Sequence, residues 1–290
     1  MSALDAPSGR IGVVTVSFGS EAVLEGFLAS LAAASAAEQI VVVADNKPEV
    51  GAPSAELAER FRALYLPLPK NLGYGGAMNA AIRELPGDIR WVLISNPDIE
   101  IKPGAFDELV RVGETDARVG AVGPLVMTDG EVYPSARALP SLANGIGHAL
   151  LARIWPTNPF TASYRNDTEL PPRERDAGWL SGSCLLVRRE AFDAVGGFDD
   201  DYFMYFEDVD LGARLGAAGW LNRYAPSAVV EHSGAHSTDT DSARMIVVHH
   251  QSAYRFLSRR YSGWYNFPVR LVVRVGLVGR ALLITRILKR

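Results

Sequence analysis

The sequence predicts an α/β protein whose mostly parallel, twisted sheet is flanked by helices. Short runs rich in β-branched residues alternate with segments whose apolar residues recur at helical spacing. Strands that alternate with helices form βαβ units, which give a parallel sheet covered on both faces. Polar residues lie where several strands end, the usual ligand-binding edge of such sheets: Thr15, Asp45, Asn71, Asn96 and Asp98.

The first 130 residues carry most of this alternation. The predicted strands are IGVVTV, QIVVVADN, ALYLPL, WVLISNPD and VGAVGPLV, and the predicted helices lie in SEAVLEGFLASLAAA, residues 55–61, GYGGAMNAAIREL and AFDELVRVGE. Order resumes after position 176 with the strand in WLSGSCLLVR and the helix REAFDAV. Then come a helix from Glu207 to about Ala218, a strand pair in LNRYAP and AVVEH, and a helix over Ser242–Arg260.

The alternation stops between Tyr133 and Asp176, where the sequence is rich in Pro, Asn and Arg. A loop of this length inside a compact domain is usually functional or mobile. Within it, LANGIGHALLARIW has the pattern of a short amphipathic helix.

Composition indicates an ordinary soluble globular protein. The chain has 290 residues, of which 48% are hydrophobic and 21% charged, enough for one large domain with an appendage. The single Cys184 excludes an intrachain disulfide and a cysteine-based metal cluster, and its setting in GSCLLV predicts a buried, inert thiol. Polar residues 1–10 do not form a secretory signal, so we expect a cytoplasmic location.

Charge is distributed unevenly. Ten of the 29 basic residues and none of the 33 acidic residues fall within 242–290, although the net charge is only −4. The terminal segment WYNFPVRLVVRVGLVGRALLITRILKR is apolar but carries too many charges to span a membrane. We expect it to lie on an anionic membrane surface, with no nucleic-acid partner. The alternative is a helix packed on the protein body with snorkelling arginines.

Asn96 and Asp98 end the apolar run WVLIS. An Asp after Pro is often only a turn residue or a cap. At the ligand-binding edge, however, it could bind Mg²⁺ or Mn²⁺, with phosphate and water completing the coordination. His232 is the candidate second ligand because it ends a strand at the turn HSGAHS, and His236 is a weaker candidate.

Glu207 and Asp208 open a predicted helix in YFEDVDL. Acidic residues are favoured there by the helix dipole, so capping is the structural alternative. The functional hypothesis is a general base, which typically contributes about 10²–10⁴-fold in rate. We expect the dipole to keep the pKa of this base low.

The stretch NLGYGGAMNAAI lacks the lysine of a P-loop and the spacing of a dinucleotide site. Its glycines could let backbone N–H groups approach a ligand at a helix N-terminus.

In this order the motifs resemble glycosyltransferase family 2, whose members have the GT-A fold. The resemblance covers roughly residues 10–240 and is carried by VVTVSF, VVVADN, NLGYGGAMNAAI, SNPDIEI, WLSGSCLLVRREAFDAVGGFDDDYFMYFEDVDLGARLGAAGW and VVEHSGAHS. The sequence looks most like the rhamnosyltransferase branch, and within it like the mycobacterial type that adds rhamnose to a GlcNAc-diphosphate-polyprenol.

The resemblance implies a role for each matched residue. Asp208 would be the catalytic base, and Asp98 and His232 the ligands of Mg²⁺ or Mn²⁺. The implied nucleotide-binding residues are Thr15, Ser17, Asp45, Asn71, Gly75 and Asn96. The implied acceptor-binding residues are Trp179, Ser181, Gly182, Ser183 and Glu207. The chain departs from the family's D-x-D element at Asn96, which could act only by hydrogen bonding.

The resemblance also implies an activity and the extent of the catalytic domain, whereas the insert and the basic tail are not part of the family's common pattern and are inferred from composition. The reaction would be an inverting transfer of rhamnose from dTDP-L-rhamnose to a lipid-linked GlcNAc, at the inner face of the plasma membrane. Residues 1–241 would form the catalytic domain, with a donor half at about 10–130, an insert at 133–176 and an acceptor half at about 176–241. Residues 242–290 would form the helical basic tail. The sequence leaves the oligomeric state open.

Three alternatives remain at this point. The same fold could use UDP-galactofuranose or UDP-GlcNAc as donor. A sugar-1-phosphate nucleotidyltransferase shares the α/β layout, but SFGSEAV lacks the Gly- and Arg/Lys-rich loop it needs after the first strand. A membrane-associated binding protein without catalysis is the third.

Overall fold

The computed structural model describes residues 10–48, 53–141, 172–234 and 242–288. Its strands are β1 (Ile11–Ser17), β2 (Gln39–Asp45), β3 (Leu64–Pro67), β4 (Trp91–Ser95), β5 (Ile99–Ile101), β6 (Val119–Thr128), β7 (Glu131–Tyr133), β8 (Ala136–Arg137), β9 (Arg175–Ala177), β10 (Trp179–Leu180), β11 (Cys184–Arg188) and β12 (Leu221–His232). Its α-helices are α1 (Glu21–Ala34), α2 (Pro53–Arg60), α3 (Gly73–Arg83), α4 (Ala105–Gly113), α5 (Arg189–Ala194), α6 (Glu207–Ala217), α7 (Ser242–Arg260) and α8 (Phe267–Leu288).

One mixed sheet dominates the described part of the chain, in the strand order β3-β2-β1-β4-β11-β6-β12-β5. Strands β3, β2, β1 and β4 are mutually parallel, and β6 is parallel to β12. Strand β11 runs antiparallel between β4 and β6, and β5 is antiparallel to β12. The predicted α/β class with a mostly parallel sheet is confirmed.

Helices cover both faces of this sheet. Side chains alternate along each strand, so Val13 faces α1, α2 and α4 while Val14 faces α3, α5 and α6. Each face is filled by fully buried apolar side chains, such as Phe106 on the first and Met78 on the second. Cys184 lies buried in β11, as predicted, and burial raises the pKa of its thiol to about 12.

One predicted boundary was wrong. The expected strand pair in LNRYAP and AVVEH is one strand, β12, whose pairing with β6 shifts register between Ala225 and Val229. The irregularity lets a single strand continue past a stretch that looks like a break. Within the insert expected over 133–176, the structure describes strand β8 and the start of β9. The helix predicted in LANGIGHALLARIW lies outside the described residues.

The C-terminal helices pack against the segment that leads into α6. From α7, Ser252 Oγ donates to the carbonyl of Met204 (2.9 Å), and Arg255 and Arg259 form ion pairs with Asp201. Helix α8 folds back along α7. Among the described residues, no helix is both long and apolar enough to cross a membrane.

Candidate active site

The carboxyl ends of β1, β2 and β4 bring the predicted nucleotide-binding residues together. Ser17 pairs in register with Asp45, and Thr15 with Ser95. Asp45 is buried and accepts hydrogen bonds from the backbone N–H of Lys47 (2.8 Å) and from Tyr65 Oη (2.9 Å). Burial, assisted by this carboxylate, raises the pKa of Tyr65 to about 12. The hydroxyl of Thr15 is buried without a partner in the described structure.

The glycine-rich turn serves packing within the chain. Gly73 has φ +74°, and a Cβ atom there would lie 2.0 Å from the carbonyl oxygen of Phe203. A Cβ atom on Gly75 would lie 2.9 Å from Cβ of Phe198. Because they have no side chains, these two glycines allow the start of α3 to pack closely against the segment that precedes α6.

Two asparagines hold this turn in place. The predicted residue Asn71 is exposed, and its Oδ1 accepts from the N–H of Gly73 (2.8 Å). Asn46, which the sequence analysis missed, is buried and joins β2 to the turn by bonds to Leu72 N (3.0 Å) and Gly73 O (2.9 Å). Its position directly after Asp45 was the available signal. The hydroxyl of Ser17 forms a hydrogen bond with the hydroxyl of Ser54 (3.2 Å).

Asp98 and His232 meet because β5 and β12 pair at the sheet edge, with His232 opposite Ile99. Nε2 of His232 lies 3.1 Å from Oδ2 of Asp98, and the second carboxylate oxygen is buried without a partner in the described residues. Ser233 fixes the local backbone through its N–H and hydroxyl, both bonded to the Asp98 carbonyl (3.0 and 3.1 Å).

This pair fits a hard divalent cation bound mainly by its substrate. An unpartnered carboxylate oxygen and an adjacent imidazole are suitable ligands for Mg²⁺ or Mn²⁺. The described residues contain no cluster of three or more Asp, Glu, His or Cys ligands, so phosphate and water would complete the coordination. The weaker candidate His236 lies outside the described residues.

Asn96 connects this edge to the acceptor side. Its N–H donates to the carbonyl of Ser183 (2.9 Å). The hydroxyl groups of Ser183 and Ser181 form a hydrogen bond of 3.0 Å, in which either group can be the donor. The N–H of Ser181 donates to the carbonyl of Ser135 (2.7 Å). Hydrogen bonds thus join one predicted nucleotide-binding residue, Asn96, to two predicted acceptor-binding residues, Ser183 and Ser181.

Asp208 is held by two backbone N–H groups. Gly182 donates to Oδ2 (2.9 Å) and Val209 to Oδ1 (2.8 Å). The expectation of a low pKa was wrong, because burial raises the pKa of Asp208 more than the backbone N–H groups lower it. A carboxylate with a raised pKa is a stronger base, which suits proton abstraction better than the sequence suggested.

Glu207 lies beside this carboxylate and is only 7% exposed. Burial, together with the charge of Asp208, raises the pKa of Glu207 to about 8, and its Oε2 has no partner in the described structure. Tyr74, another residue the sequence analysis missed, donates its hydroxyl to Gly182 O. Its place in NLGYGG was the available signal.

The backbone before α6 is strained where it presents these carboxyl groups. Tyr205 and Phe206 both have left-handed φ values, 67° and 68°, which bulky residues rarely adopt. The ring of His249 contacts both aromatic rings, with centroids 5.3 and 5.5 Å away, and Phe256 lies 5.8 Å from Phe206. Helix α7 therefore holds an unfavourable turn in place.

Trp179 lies on the acceptor side, on the β10–β8 ribbon. Its Nε1 donates to Ala138 O (3.1 Å), and its Cβ packs against Gly212 of α6. Arg137 lies directly opposite in register, with its guanidinium 5.5 Å from the Trp179 ring. No sequence signal marked Arg137, because the ribbon lies within the irregular stretch.

Residues 12–196 match the model of Glycosyl transferase family 2, and residues 166–287 match that of Glycosyl transferase family group 2. The N-acetylglucosaminyl-diphospho-decaprenol L-rhamnosyltransferase of Mycobacterium tuberculosis is 48% identical over 94% of this chain and 92% of that protein. Rhamnosyltransferase WbbL of Escherichia coli is 28% identical over 86% of this chain and 92% of its own length.

Solved structures agree with the fold. A mannosyltransferase from Pyrobaculum calidifontis, in complex with GDP-Man and Mn²⁺, aligns with a TM-score of 0.57 at 16% identity, covering 96% of this chain and 77% of its own. Residues 1–349 of TarS from S. aureus align with a TM-score of 0.56 at 14% identity, covering 94% and 81%. The predicted GT-A fold is confirmed.

Proposed function

This chain belongs to glycosyltransferase family 2, and we propose that it is an inverting, metal-dependent transferase that moves rhamnose from dTDP-L-rhamnose to a polyprenyl-diphosphate-linked GlcNAc. One observation carries the choice of substrates: the 48% identity, over 94% of this chain, with a relative named for transfer of L-rhamnose to N-acetylglucosaminyl-diphospho-decaprenol. Such a reaction belongs to cell-wall polysaccharide assembly.

Asp208 is the proposed general base. Its carboxylate is oriented by the N–H groups of Gly182 and Val209, so one oxygen lone pair can accept the proton of the acceptor hydroxyl. The neighbouring Trp179 offers an apolar ring on which a sugar can stack. Burial of the site strengthens the base by raising its pKa.

The donor is proposed to lie along the strand ends. Asp45 is presented to the nucleotide base beside Tyr65, and the unpartnered hydroxyl of Thr15 is available to the nucleotide. Asp98 and His232 would hold Mg²⁺ or Mn²⁺. When bound, the cation neutralises charge that develops on the departing diphosphate. Asn96 contributes backbone positioning through Ser183.

The tail is proposed to bind the anionic inner face of the plasma membrane, where a polyprenyl-linked acceptor is found. This proposal is supported by the exposed Trp264 and Tyr265, which lead into the basic, apolar helix α8.

The decisive experiment identifies the product by mass spectrometry after incubation with dTDP-L-rhamnose and GlcNAc-diphosphate-polyprenol, with and without Mn²⁺ or Mg²⁺. We expect one added deoxyhexose, only in the presence of the cation. UDP-galactofuranose and UDP-GlcNAc serve as competing donors, and preference for either would overturn the choice of rhamnose.

Asp208→Asn tests the base. This variant should lose transfer while still binding dTDP-L-rhamnose, because the isosteric amide keeps the fold but cannot accept the proton. Full activity of the variant would remove Asp208 from the mechanism. Absence of transfer by the wild-type chain with every donor, despite nucleotide-sugar binding, would instead support a non-catalytic binding protein.

A further inference from the structure

The guanidinium of Arg137 lies close to two aromatic rings on the proposed acceptor side of the site. Its central carbon is 5.5 Å from the centroid of Tyr133 and 5.5 Å from that of Trp179. Trp179 is also its direct partner across the β8–β10 ribbon. Contact with two aromatic rings restricts the guanidinium, whose N–H groups donate hydrogen bonds within its own plane.

In the described part of the protein, the guanidinium N–H groups of Arg137 form one hydrogen bond to the backbone. Nε of Arg137 donates to the carbonyl of Pro134 (2.7 Å), which fixes rotation of the plane. Across the described ranges, no carboxylate forms an ion pair with Arg137. Arg223, on the neighbouring strand β12, is by contrast neutralised by Asp176 (2.7 Å) and Glu174 (3.1 Å). Arg137 is therefore a pre-organised cation without an acidic partner in the described structure.

Its position relates the cation to the reaction. The positive charge of Arg137 acts on the carboxylate of Asp208, where it opposes the effect of burial on the pKa. Arg137 also shares its ribbon with Trp179, whereas the proposed donor residues lie at the ends of β1, β2 and β4. An anion bound at Arg137 would thus lie next to the acceptor sugar.

We propose that Arg137 binds a phosphate oxygen of the diphosphate that joins the acceptor sugar to its lipid. This inference rests on the proposed function, which supplies an acceptor bearing a diphosphate. A planar guanidinium suits phosphate oxygens because two parallel N–H bonds can form at once. Recognition of the diphosphate would let the enzyme distinguish its lipid-linked acceptor from a neutral glycoside of GlcNAc.

Steady-state kinetics with two acceptors tests the inference: a short-chain GlcNAc-diphosphate-polyprenol and a neutral alkyl glycoside of GlcNAc. Arg137→Ala should raise KM for the diphosphate acceptor about 10- to 100-fold, as expected for a lost charge-assisted bond. The KM for dTDP-L-rhamnose and the KM for the neutral glycoside should stay near wild type, whereas any change in kcat that arises through the pKa of Asp208 should be the same for both acceptors. Arg137→Lys should recover part of the loss, because it keeps the charge but not the fork.

Arg223→Ala is the matched control, since its charge is already neutralised by two carboxylates, and it should leave both acceptor constants unchanged. A rise in KM for dTDP-L-rhamnose, rather than for the acceptor, would assign Arg137 to the donor diphosphate and overturn the inference. An equal rise in KM for both acceptors would also overturn it, because it indicates that Arg137 does not distinguish the diphosphate.

Calorimetric titration without donor separates this inference from the proposed function. The wild-type protein should bind the GlcNAc-diphosphate-polyprenol more tightly than Arg137→Ala does, whatever happens to transfer. Equal binding by the two proteins overturns the role of Arg137. Absence of a rhamnosylated product, with the binding difference intact, overturns the transfer reaction alone.

Discussion

Asp208 and Glu207 are adjacent buried carboxyl groups with different surroundings. Asp208 receives two backbone N–H bonds, whereas Oε2 of Glu207 receives none in the described structure. Burial is the main cause that raises both pKa values, and the charge of Asp208 adds to it at Glu207, whose pKa is raised to about 8. Glu207 is therefore largely protonated at neutral pH.

This difference predicts two limbs in the pH dependence of kcat/KM. Activity should rise with pH as Asp208 ionises, at a pH above the usual aspartate value of about 3.9. A second change should appear near pH 8, where Glu207 ionises and adds negative charge beside the base. Glu207→Gln should abolish the second change and keep the first. Persistence of the change near pH 8 in this variant would assign it to another group.

Asp98 and Asn96 should differ in their effect on catalysis. Asp98→Ala removes the carboxylate that we assign to the cation and should lower kcat/KM by at least about 100-fold. Asn96→Ala keeps the backbone bond to Ser183 and should cost less than about tenfold. Titration of each variant with Mn²⁺ should show weakened cation binding only for Asp98→Ala. Equal losses would mean that the two roles are divided wrongly.

The sequence predicted that Asp98 and His232 lie close together, but it did not predict the environment of Asp208. Asp98 and His232 were paired in advance because each ends an apolar strand, and the structure brings them within 3.1 Å. The raised pKa of Asp208 could not be predicted, because it depends on burial and on Gly182, which lies 26 residues earlier in the chain. Arg137 was missed for a similar reason, since its stacking partner Trp179 is remote in sequence.

At the scale of elements, helix α7 supports the turn that presents Asp208. Two consecutive left-handed residues, Tyr205 and Phe206, would relax without the rings of His249 and Phe256 against them. The bond from Ser252 to the carbonyl of Met204 fixes the start of the same turn. Helix α7, the first helix of the basic tail, therefore helps to position the turn that presents Asp208.

Phe256→Leu should lower kcat without changing the KM for dTDP-L-rhamnose, because it loosens the turn before the base and leaves the donor site intact. The matched control is Phe106→Leu, which alters a buried phenylalanine on the opposite face of the sheet. Both changes should reduce the melting temperature to a similar degree. If kcat falls equally in both variants, the effect is one of general stability and α7 has no special role.

Element boundaries were predictable where the periodicity was strong, as in α1 and α7. The sheet order was not, because it depends on pairing between distant strands. Nothing local in Cys184–Arg188 indicates that this strand enters antiparallel between β4 and β6. The strand Ile99–Ile101 was also missed, since three residues are too few to show an alternation.

At the scale of the whole molecule, one surface stands apart from the rest. Trp264 is 86% exposed, and Tyr265 beside it is also exposed. On α8, Val272 is 71% exposed, and further apolar side chains are exposed as well: Phe267, Leu271, Val275, Val278, Leu282 and Leu283. Helix α8 nevertheless rests on α7, where Arg274 lies over the ring of Tyr254 at 5.8 Å. A large exposed apolar surface with only basic charges matches a membrane interface.

Deletion of residues 264–290 should move the protein from the floating to the soluble fraction with anionic liposomes. The double variant Val272→Asp, Leu283→Asp should have the same effect without shortening the chain, because both side chains are exposed and a carboxylate is repelled by anionic lipid. Neutral liposomes provide the control and should retain less wild-type protein. Flotation of both variants at the wild-type level would place the membrane contact elsewhere.

The position of β11 has a consequence for synthesis on the ribosome. By the time residue 130 has been made, β4 and β6 exist, but the strand that lies between them has not been translated. The nascent chain thus carries unpaired edges on β4 and β6, which are templates for aggregation. Completion of the sheet must wait for Cys184–Arg188 and then for β12. If translation paused between residue 130 and the synthesis of β11 and β12, the nascent chain would depend most strongly on chaperones during that pause.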